Sequence, residues 1–247
     1  IMDPHQRLAL EEGYAALHSA GCTRASLMNS ATGVFAGLWP SDYGSVLSTS
    51  GAVGRSPFAV TATGPAMLVG RLSYLLGMQG PSIAFDTACS ASLSAFQAAI
   101  YALRHQDSHA GLVLGVNVMC DSTISQLFAA AHMTSSSGKS HTFDARANGY
   151  ARGEACCSVA LLPELEVVRR VRCEAGAVRQ DGKSASLTAP NGTAQQALIR
   201  AALESAGRSP HGAFVLEAHG TGTSLGDPIE ARAICAVREE PHLMSAM

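Results

Sequence analysis

Asp86-Thr87-Ala88-Cys89-Ser90-Ala91-Ser92 is the stretch on which the reading of the fold turns. Upstream of it, Ile83-Ala84-Phe85 is an apolar run with the character of a buried strand. Downstream, Ser90 to Leu103 is small and apolar, with Leu93, Phe96, Ile100 and Leu103 at helical spacing. Cys89 is therefore expected where a strand turns into a helix. Unpaired N–H groups at a helix start favour a thiolate. The neighbours Ala88, Ser90 and Ala91 are small enough for a substrate to approach the sulfur. Cysteine is also among the most buried residue types. Position alone thus leaves two readings of Cys89, a nucleophile or an inert core thiol.

Working outward, the 247 residues suffice for one large domain with a substantial core. Only 15% of them are charged and 47% are hydrophobic, which implies heavily buried helices, an oligomer interface, or both. The net charge is −2 and there is no Lys/Arg cluster, which argues against nucleic acid as a partner. No apolar stretch reaches the roughly 18 residues needed to span a bilayer, so no membrane role is expected. The seven cysteines are odd in number and scattered, without a C-x-x-C pair or a His-rich metal spacing. Free thiols in a reducing, cytoplasmic compartment and no metal site fit that pattern. The chain opens on Ile1 inside a motif and is expected to be a piece of a longer protein, which leaves a targeting signal unassessed.

Asp3-Pro4 predicts a helix start, with Leu10, Tyr14 and Leu17 on one face and Gly21 at its end. Thr23 to Gly64 is rich in Gly, Ser and Thr, with one strand expected at Gly33-Val34-Phe35-Ala36. Ala66 to Leu76 reads as a helix, Leu112 to Met119 and Cys156 to Leu162 as strands, and Ser135 to Gly153 as a loop. Pro163 and the charged Glu164–Arg172 stretch mark an internal boundary. Beyond it we expect a strand over Val171–Val178, a helix from Ala194 to Ala206 closed by Gly207, and a strand over Phe214–Ala218. That last strand delivers His219-Gly220-Thr221-Gly222-Thr223. Asp227-Pro228-Ile229-Glu230 then combines an N-cap acid, a proline in the first turn and a reciprocal acid three residues on. Strands alternating with helices point to an α/β layer structure with buried parallel strands.

Functional groups in such sheets gather at strand ends. Cys89 lies just past one strand and His219 past another, and Cys–His is a recurrent nucleophilic pair. The Gly/Thr residues after His219 let a backbone and two hydroxyls approach an extended ligand. The plainer reading is that His219 fills a turn and the glycines serve the backbone.

The residues themselves carry a resemblance. Asp86-Thr87-Ala88-Cys89-Ser90-Ala91-Ser92-Leu93 resembles the active-site signature of β-ketoacyl synthases, specifically the ketosynthase domains of modular polyketide synthases. Glu217-Ala218-His219-Gly220-Thr221-Gly222-Thr223 and Gly226-Asp227-Pro228-Ile229-Glu230 are similar to that family's first histidine motif and its extension. Shorter matches fall in the family's order at Asp3–Leu8, Gly70–Tyr74, Phe143–Ala145, Gly149–Glu154 and Leu187–Gly192.

The resemblance implies a thiolase-like α/β fold, layered α-β-α-β-α and here truncated, in a protein that is normally a homodimer. It implies decarboxylative Claisen condensation, in polyketide or fatty-acid-like biosynthesis. In that chemistry Cys89 takes an acyl chain from the phosphopantetheine of an acyl carrier protein, and a malonyl-type extender loses CO2 before its enolate attacks the acyl-cysteine. No cofactor is then held directly; the substrates are acyl and malonyl-type thioesters, and other polyketide synthase domains are expected in the parent chain. His219 would donate to the extender's thioester oxygen, and the Cys89 N–H would form half of the oxyanion hole. Thr221 and Thr223 resemble the hydroxyls that hold the pantetheine arm. Phe128 and Tyr150 occupy places that resemble acyl-pocket walls, or are plain core.

The chain also departs from the family pattern. The downstream lysine and second histidine are missing, as are the opening strand and the late glycine-rich loop, and Gly153-Glu154-Ala155 replaces the usual Gly-Glu-Gly. On this reading residues 1–163 are most of an N-terminal half and 164–247 the start of a C-terminal half, inactive and poorly soluble when expressed alone. A thiolase or chalcone-type condensing enzyme fits the His219 motif less well. The competing reading is a silent ketosynthase-like module that binds carrier protein and passes chains on unchanged. A cysteine hydrolase is the remote third.

Overall fold

The structure, a computed structural model, describes residues 2–39, 41–51, 56–163, 171–211 and 215–238 and the backbone of 244–245. Its helices are α1 (Pro4–Ser19), α2 (Arg24–Leu27), α3 (Tyr43–Thr49), α4 (Ala59–Ala62), α5 (Pro65–Leu76), α6 (Ala91–Arg104), α7 (Thr123–Ala130), α8 (Gly192–Ser205) and α9 (Gly226–Arg238). Its strands are β1 (Thr32–Leu38), β2 (Ser82–Phe85), β3 (Ala110–Asn117), β4 (Ala155–Leu161), β5 (Leu216–Glu217) and β6 (Met244–Ser245). The chain divides into two compact units, residues 1–124 with 153–170 and residues 125–152 with 171–247.

The first unit is a four-stranded sheet in the order β2-β1-β3-β4. β1 runs parallel to β2 and β3, whereas β4 is antiparallel to β3. The expectation of parallel strands thus fails at β4. The two-residue alternation of a strand decides which side chain meets which helix. Val34, Ala36 and Leu38 of β1 and Leu112, Leu114 and Val116 of β3 pack against α1 and α5 through Ala9, Leu17, Leu68 and Leu72. Phe35 and Val113 point the other way and pack on Ala95, Ala99 and Ala102 of α6. This unit is therefore helix, sheet, helix.

Several expectations need correction. On α1 the buried stripe is His5, Gln6, Ala9, Gly13 and Leu17, while Tyr14 is 46% exposed. On α6 alanines, not Leu93, face the sheet, because small side chains let the helix sit close. β2 is an edge strand, not a buried one, and Ile83 is 42% exposed. Residues 171–178 form no strand, and Val171 is 94% exposed. Strand propensity needs a neighbour to pair with, and none is found there among the described residues. Charged residues 164–170, with the boundary expected beside them, lie outside the described residues, as do Phe214 and residues 239–243.

Asp3 caps α1 by accepting from His5 N at 2.8 Å, and its Oδ1 also bonds His5 Nδ1 at 2.9 Å. His5 Nε2 accepts from Val118 N at 3.0 Å, so the proton of the neutral ring sits on Nδ1. Burial pushes the Asp3 carboxyl up, but donation from the His5 side chain and backbone and from Ser41 outweighs it and holds the carboxyl below its ordinary range. Arg71 Nε donates to Gln6 Oε1 at 2.6 Å and Arg71 Nη2 to Thr61 O at 2.9 Å. The Asp3–Leu8 and Gly70–Tyr74 matches thus form one polar frame that fixes the chain leaving β3.

In the second unit α8 packs on α9, β5 pairs in parallel with β6, and Thr134 bridges Tyr150. Asn191 caps α8 by accepting from Thr193 N and Ala194 N.

Candidate active site

The first unit supplies the nucleophile turn. β2 ends at Phe85, and a three-residue 3-10 turn, Ala88–Ser90, leads into α6. Cys89 sits in the middle of that turn and is exposed. Hydroxyls tie the turn together. Ser90 Oγ donates to Thr87 O and to Thr87 Oγ1, both at 2.9 Å, and Thr87 Oγ1 lies 3.0 Å from Ser94 Oγ. Ser90 thereby turns back to Thr87 instead of capping α6. Ala88 has φ +52°, a backbone region costly for a residue with a Cβ. Such strain persists only where the surroundings impose it, and here it precedes the candidate nucleophile.

The sheet is shaped to receive this turn. Gly37 of β1 and Gly115 of β3 are partners across the ladder. A Cβ on Gly37 would lie 2.2 Å from Ser92 N and 2.3 Å from Ala91 C, and one on Gly115 would lie 3.0 Å from Ser92 Cβ. The start of α6 rests on two bare backbones.

Two other cysteines of this unit, Cys120 and Cys156, are chemically muted. Burial raises the Cys120 thiol to about 11, helped by the Asp42 and Asp3 carboxylates, and burial also raises Cys156 to about 11. At pH 8 only about one in 10³ of such thiols is ionised, against roughly a quarter of ordinary ones. Iodoacetamide at pH 8 should modify the exposed Cys89, Cys157, Cys173 and Cys235 first and leave Cys120 and Cys156 largely unreacted until the pH approaches 11. Peptide mapping checks this; equal labelling of Cys120 and Cys89 at pH 8 would contradict it.

The second unit supplies the histidine loop. His219 follows β5 and is exposed, with Gly220 and Gly222 buried behind it. Thr221 Oγ1 and Thr223 Oγ1 lie 3.1 Å apart. Gly220 and Gly222 have φ +51° and +73°, the left-handed region that suits glycine. The expected capping box at Asp227 and Glu230 is not made. α9 is capped instead by Thr223, whose hydroxyl accepts from Gly226 N at 3.0 Å. Glu230 accepts from His219 N and Gly220 N, and Asp227 from Gly222 N and Phe143 N. Sequence reasoning missed this use of the two acids. Their three-residue spacing, which puts both on one helix face next to the glycine loop, was the available signal.

Phe128 and Tyr150 are half-buried. The Arg152 guanidinium stands over the Phe128 ring, 5.2 Å from its centroid. Tyr150 N donates to Met133 O, and Ser135 N to Tyr150 O. Cys89 belongs to the first unit, and Phe128, Tyr150, His219, Thr221 and Thr223 to the second. Among the described residues no group of three or more His, Cys, Asp or Glu side chains is placed to hold a metal ion, and no helix is long and apolar enough to cross a membrane.

Two family models match the chain in succession. Residues 1–167 match the β-ketoacyl synthase N-terminal domain and residues 171–246 its C-terminal domain. The chain belongs to the β-ketoacyl synthase family. Curated relatives of this ketosynthase include a phenolphthiocerol/phthiocerol polyketide synthase of Mycobacterium tuberculosis (strain H37Rv), 44% identical over 243 residues. That match covers 96% of this chain and 13% of the relative. The highly reducing polyketide synthase alnA of Emericella nidulans is 44% identical over 241 residues, covering 94% of this chain and 10% of that protein. Among solved structures, the ketosynthase from module 6 of the bacillaene synthase of Bacillus subtilis 168 superposes with a TM-score of 0.86 at 30% identity, covering 99% of this chain and 44% of its own. A Streptomyces albus JA3453 oxazolomycin ketosynthase domain gives 0.88 at 33% identity, covering 99% and 45%. The ketosynthase fold is thus thiolase-like, as the resemblance implied.

Proposed function

We propose that the protein carrying this chain is a condensing acyltransferase of polyketide, or fatty-acid-like, biosynthesis. The observation that supports this most is the exposed Cys89 on a strained turn, pinned by hydroxyls between β2 and α6, in a chain of the β-ketoacyl synthase family. In the first step the Cys89 thiolate attacks an acyl thioester on the phosphopantetheine of an acyl carrier protein, and the carrier's thiol leaves. In the second, a malonyl-type thioester loses CO2, and the electron pair of the broken C–C bond becomes an enolate. That enolate attacks the acyl-cysteine carbonyl, a C–C bond forms, and the Cys89 thiolate is released. His219 donates to the thioester oxygen on which charge develops, and the Cys89 N–H supplies half of the oxyanion hole. Thr221 and Thr223 hold the pantetheine arm, and Phe128 and Tyr150 border the acyl chain.

The reading needs no resident cofactor. It places the protein in the cytoplasm, alongside other domains of the same synthase. It also takes residues 1–163 as most of one half-domain and 164–247 as part of the other. A second copy of the chain is the proposed partner at β2, an edge strand whose Ile83 is exposed.

The test is mass mapping of the full-length protein after incubation with an acyl thioester. Acylation of Cys89, followed by carbon–carbon bond formation with a malonyl-carrier thioester, is expected. An adduct on Cys120, Cys156 or Cys157 with Cys89 unmodified refutes the assignment. Loading without condensation would mark a transfer module, and free acid alone a hydrolase.

A further inference from the structure

The turn between β2 and α6 passes through Ala88 at φ +52°, a value that a residue with a Cβ keeps only under constraint. The amide bonds across the turn are long. Ala88 N donates to Asp86 Oδ1 at 3.4 Å, and Ser90 N donates to Thr87 O at 3.3 Å. The shorter bonds come from hydroxyls, and they converge on Thr87. Ser90 Oγ donates to Thr87 O and to Thr87 Oγ1 at 2.9 Å, and Ser94 Oγ lies 3.0 Å from Thr87 Oγ1. These two serines differ in what they are attached to. Ser90 belongs to the 3-10 turn itself, so its bonds travel with the turn. Ser94 belongs to α6, and its neighbour Ala95 is fully buried against Phe35 and Val113 of the sheet. The Thr87–Ser94 contact, seven residues apart in sequence, therefore links the turn to a body that is already fixed. Ser94 also lies outside the Asp86–Leu93 signature, so the resemblance assigns it nothing.

We propose that Ser94 is a positioning residue for Cys89: through Thr87 its hydroxyl anchors the strained turn to α6 and so fixes the direction of the Cys89 thiol and amide. This rests on the role given to Cys89 above. Thr87 and Ser94 stand on opposite sides of Cys89 in the chain, so the bond between them closes a loop around the nucleophile. Strain at Ala88 pulls that loop toward ordinary backbone angles, and it persists only while the surroundings resist. One hydroxyl bond shifts such an equilibrium by about 10-fold. Without it the relaxed turn gains population, and the thiolate and the N–H leave the places that loading uses. CO2 release draws on His219 in the second unit and is spared.

The experiment uses the full-length protein with three readouts: the rate of Cys89 acylation across acyl-thioester concentrations, CO2 release from a malonyl thioester, and the urea midpoint. Ser94→Ala should lower the saturated acylation rate about 10-fold and leave the half-saturating concentration and CO2 release unchanged. The urea midpoint should hold, because relaxation of Ala88 offsets the lost bond. Ser94→Thr keeps the hydroxyl and should recover the rate. Glycine adopts φ +52° freely, so in an Ala88→Gly background the turn no longer pulls against its anchor. There Ser94→Ala should cost about threefold or less. Three results overturn the proposal: loading of Ser94→Ala at the wild-type rate, a parallel fall in loading and CO2 release, or an equal penalty in both backgrounds. If the wild-type protein forms no Cys89 adduct, the role given to Cys89 falls and this proposal with it. Normal wild-type loading with an indifferent Ser94→Ala overturns this proposal alone.

Discussion

In the full-length protein, His219→Ala lowers condensation by about 10²-fold or more while acylation of Cys89 persists, the scale for removing one preorganised donor from a developing oxyanion. The selectivity follows from where charge develops. Loading exchanges one thioester for another of similar energy and draws on the Cys89 thiolate and its turn. Loss of CO2 puts a negative charge on the extender's thioester oxygen, and the proposed His219 donor acts there. Cys89→Ala has the opposite signature, since loading disappears entirely. Cys89→Gln, whose amide imitates an acylated side chain, retains CO2 release. Separate measurement of acyl-enzyme by mass spectrometry and of CO2 from a malonyl thioester distinguishes the two variants. Collapse of loading in His219→Ala with CO2 release intact would show that the role is wrong.

Much of the fold around Cys89 and His219 was legible in the sequence because both lie on short, locally determined turns. The apolar run into Asp86 and the small residues after Cys89 gave the strand-to-helix turn, which appears as β2, the 3-10 turn and α6. Asp3-Pro4 gave the start of α1, and Leu112 to Met119 gave β3 to within two residues. What stayed hidden depends on partners distant in sequence. β4 reads as a strand, but its antiparallel pairing with β3 is set by tertiary context. Leu93 looked like the core face of α6 because it is large, whereas the sheet selected Ala95, Ala99 and Ala102 for closeness. Asp227 and Glu230 satisfy the local rule for a capping box, yet the stronger demand came from the unpaired N–H groups of the glycine loop. Phe128 and Tyr150 carry no local signal that separates a pocket wall from a core residue.

Gly37→Ala should unfold or misplace the nucleophile turn, and the two sheet glycines make the prediction selective. Replacing glycine by alanine removes unfolded-state freedom and by itself stabilises by about 0.4–1 kcal/mol where the native backbone tolerates it. At Gly37 the new methyl would lie 2.2 Å from Ser92 N and 2.3 Å from Ala91 C, backbone atoms with no rotamer to escape into. Overpacking of a tight interior costs about 1–3 kcal/mol and more when backbone must move. The steric cost therefore wins, and α6 must shift or tilt at the residues next to Cys89. At Gly115 the methyl meets Ser92 Cβ at 3.0 Å, a side-chain contact that a small displacement relieves. There the two effects nearly cancel. Urea unfolding and Cys89 acylation should both fall sharply for Gly37→Ala and only slightly for Gly115→Ala. Adding Ser92→Gly removes the atom that Gly115→Ala meets and should restore that variant's loading, while leaving Gly37→Ala defective because its clash is with backbone. Equal tolerance at both glycines, or rescue of Gly37→Ala by Ser92→Gly, would show that the start of α6 does not rest on β1 as the geometry requires.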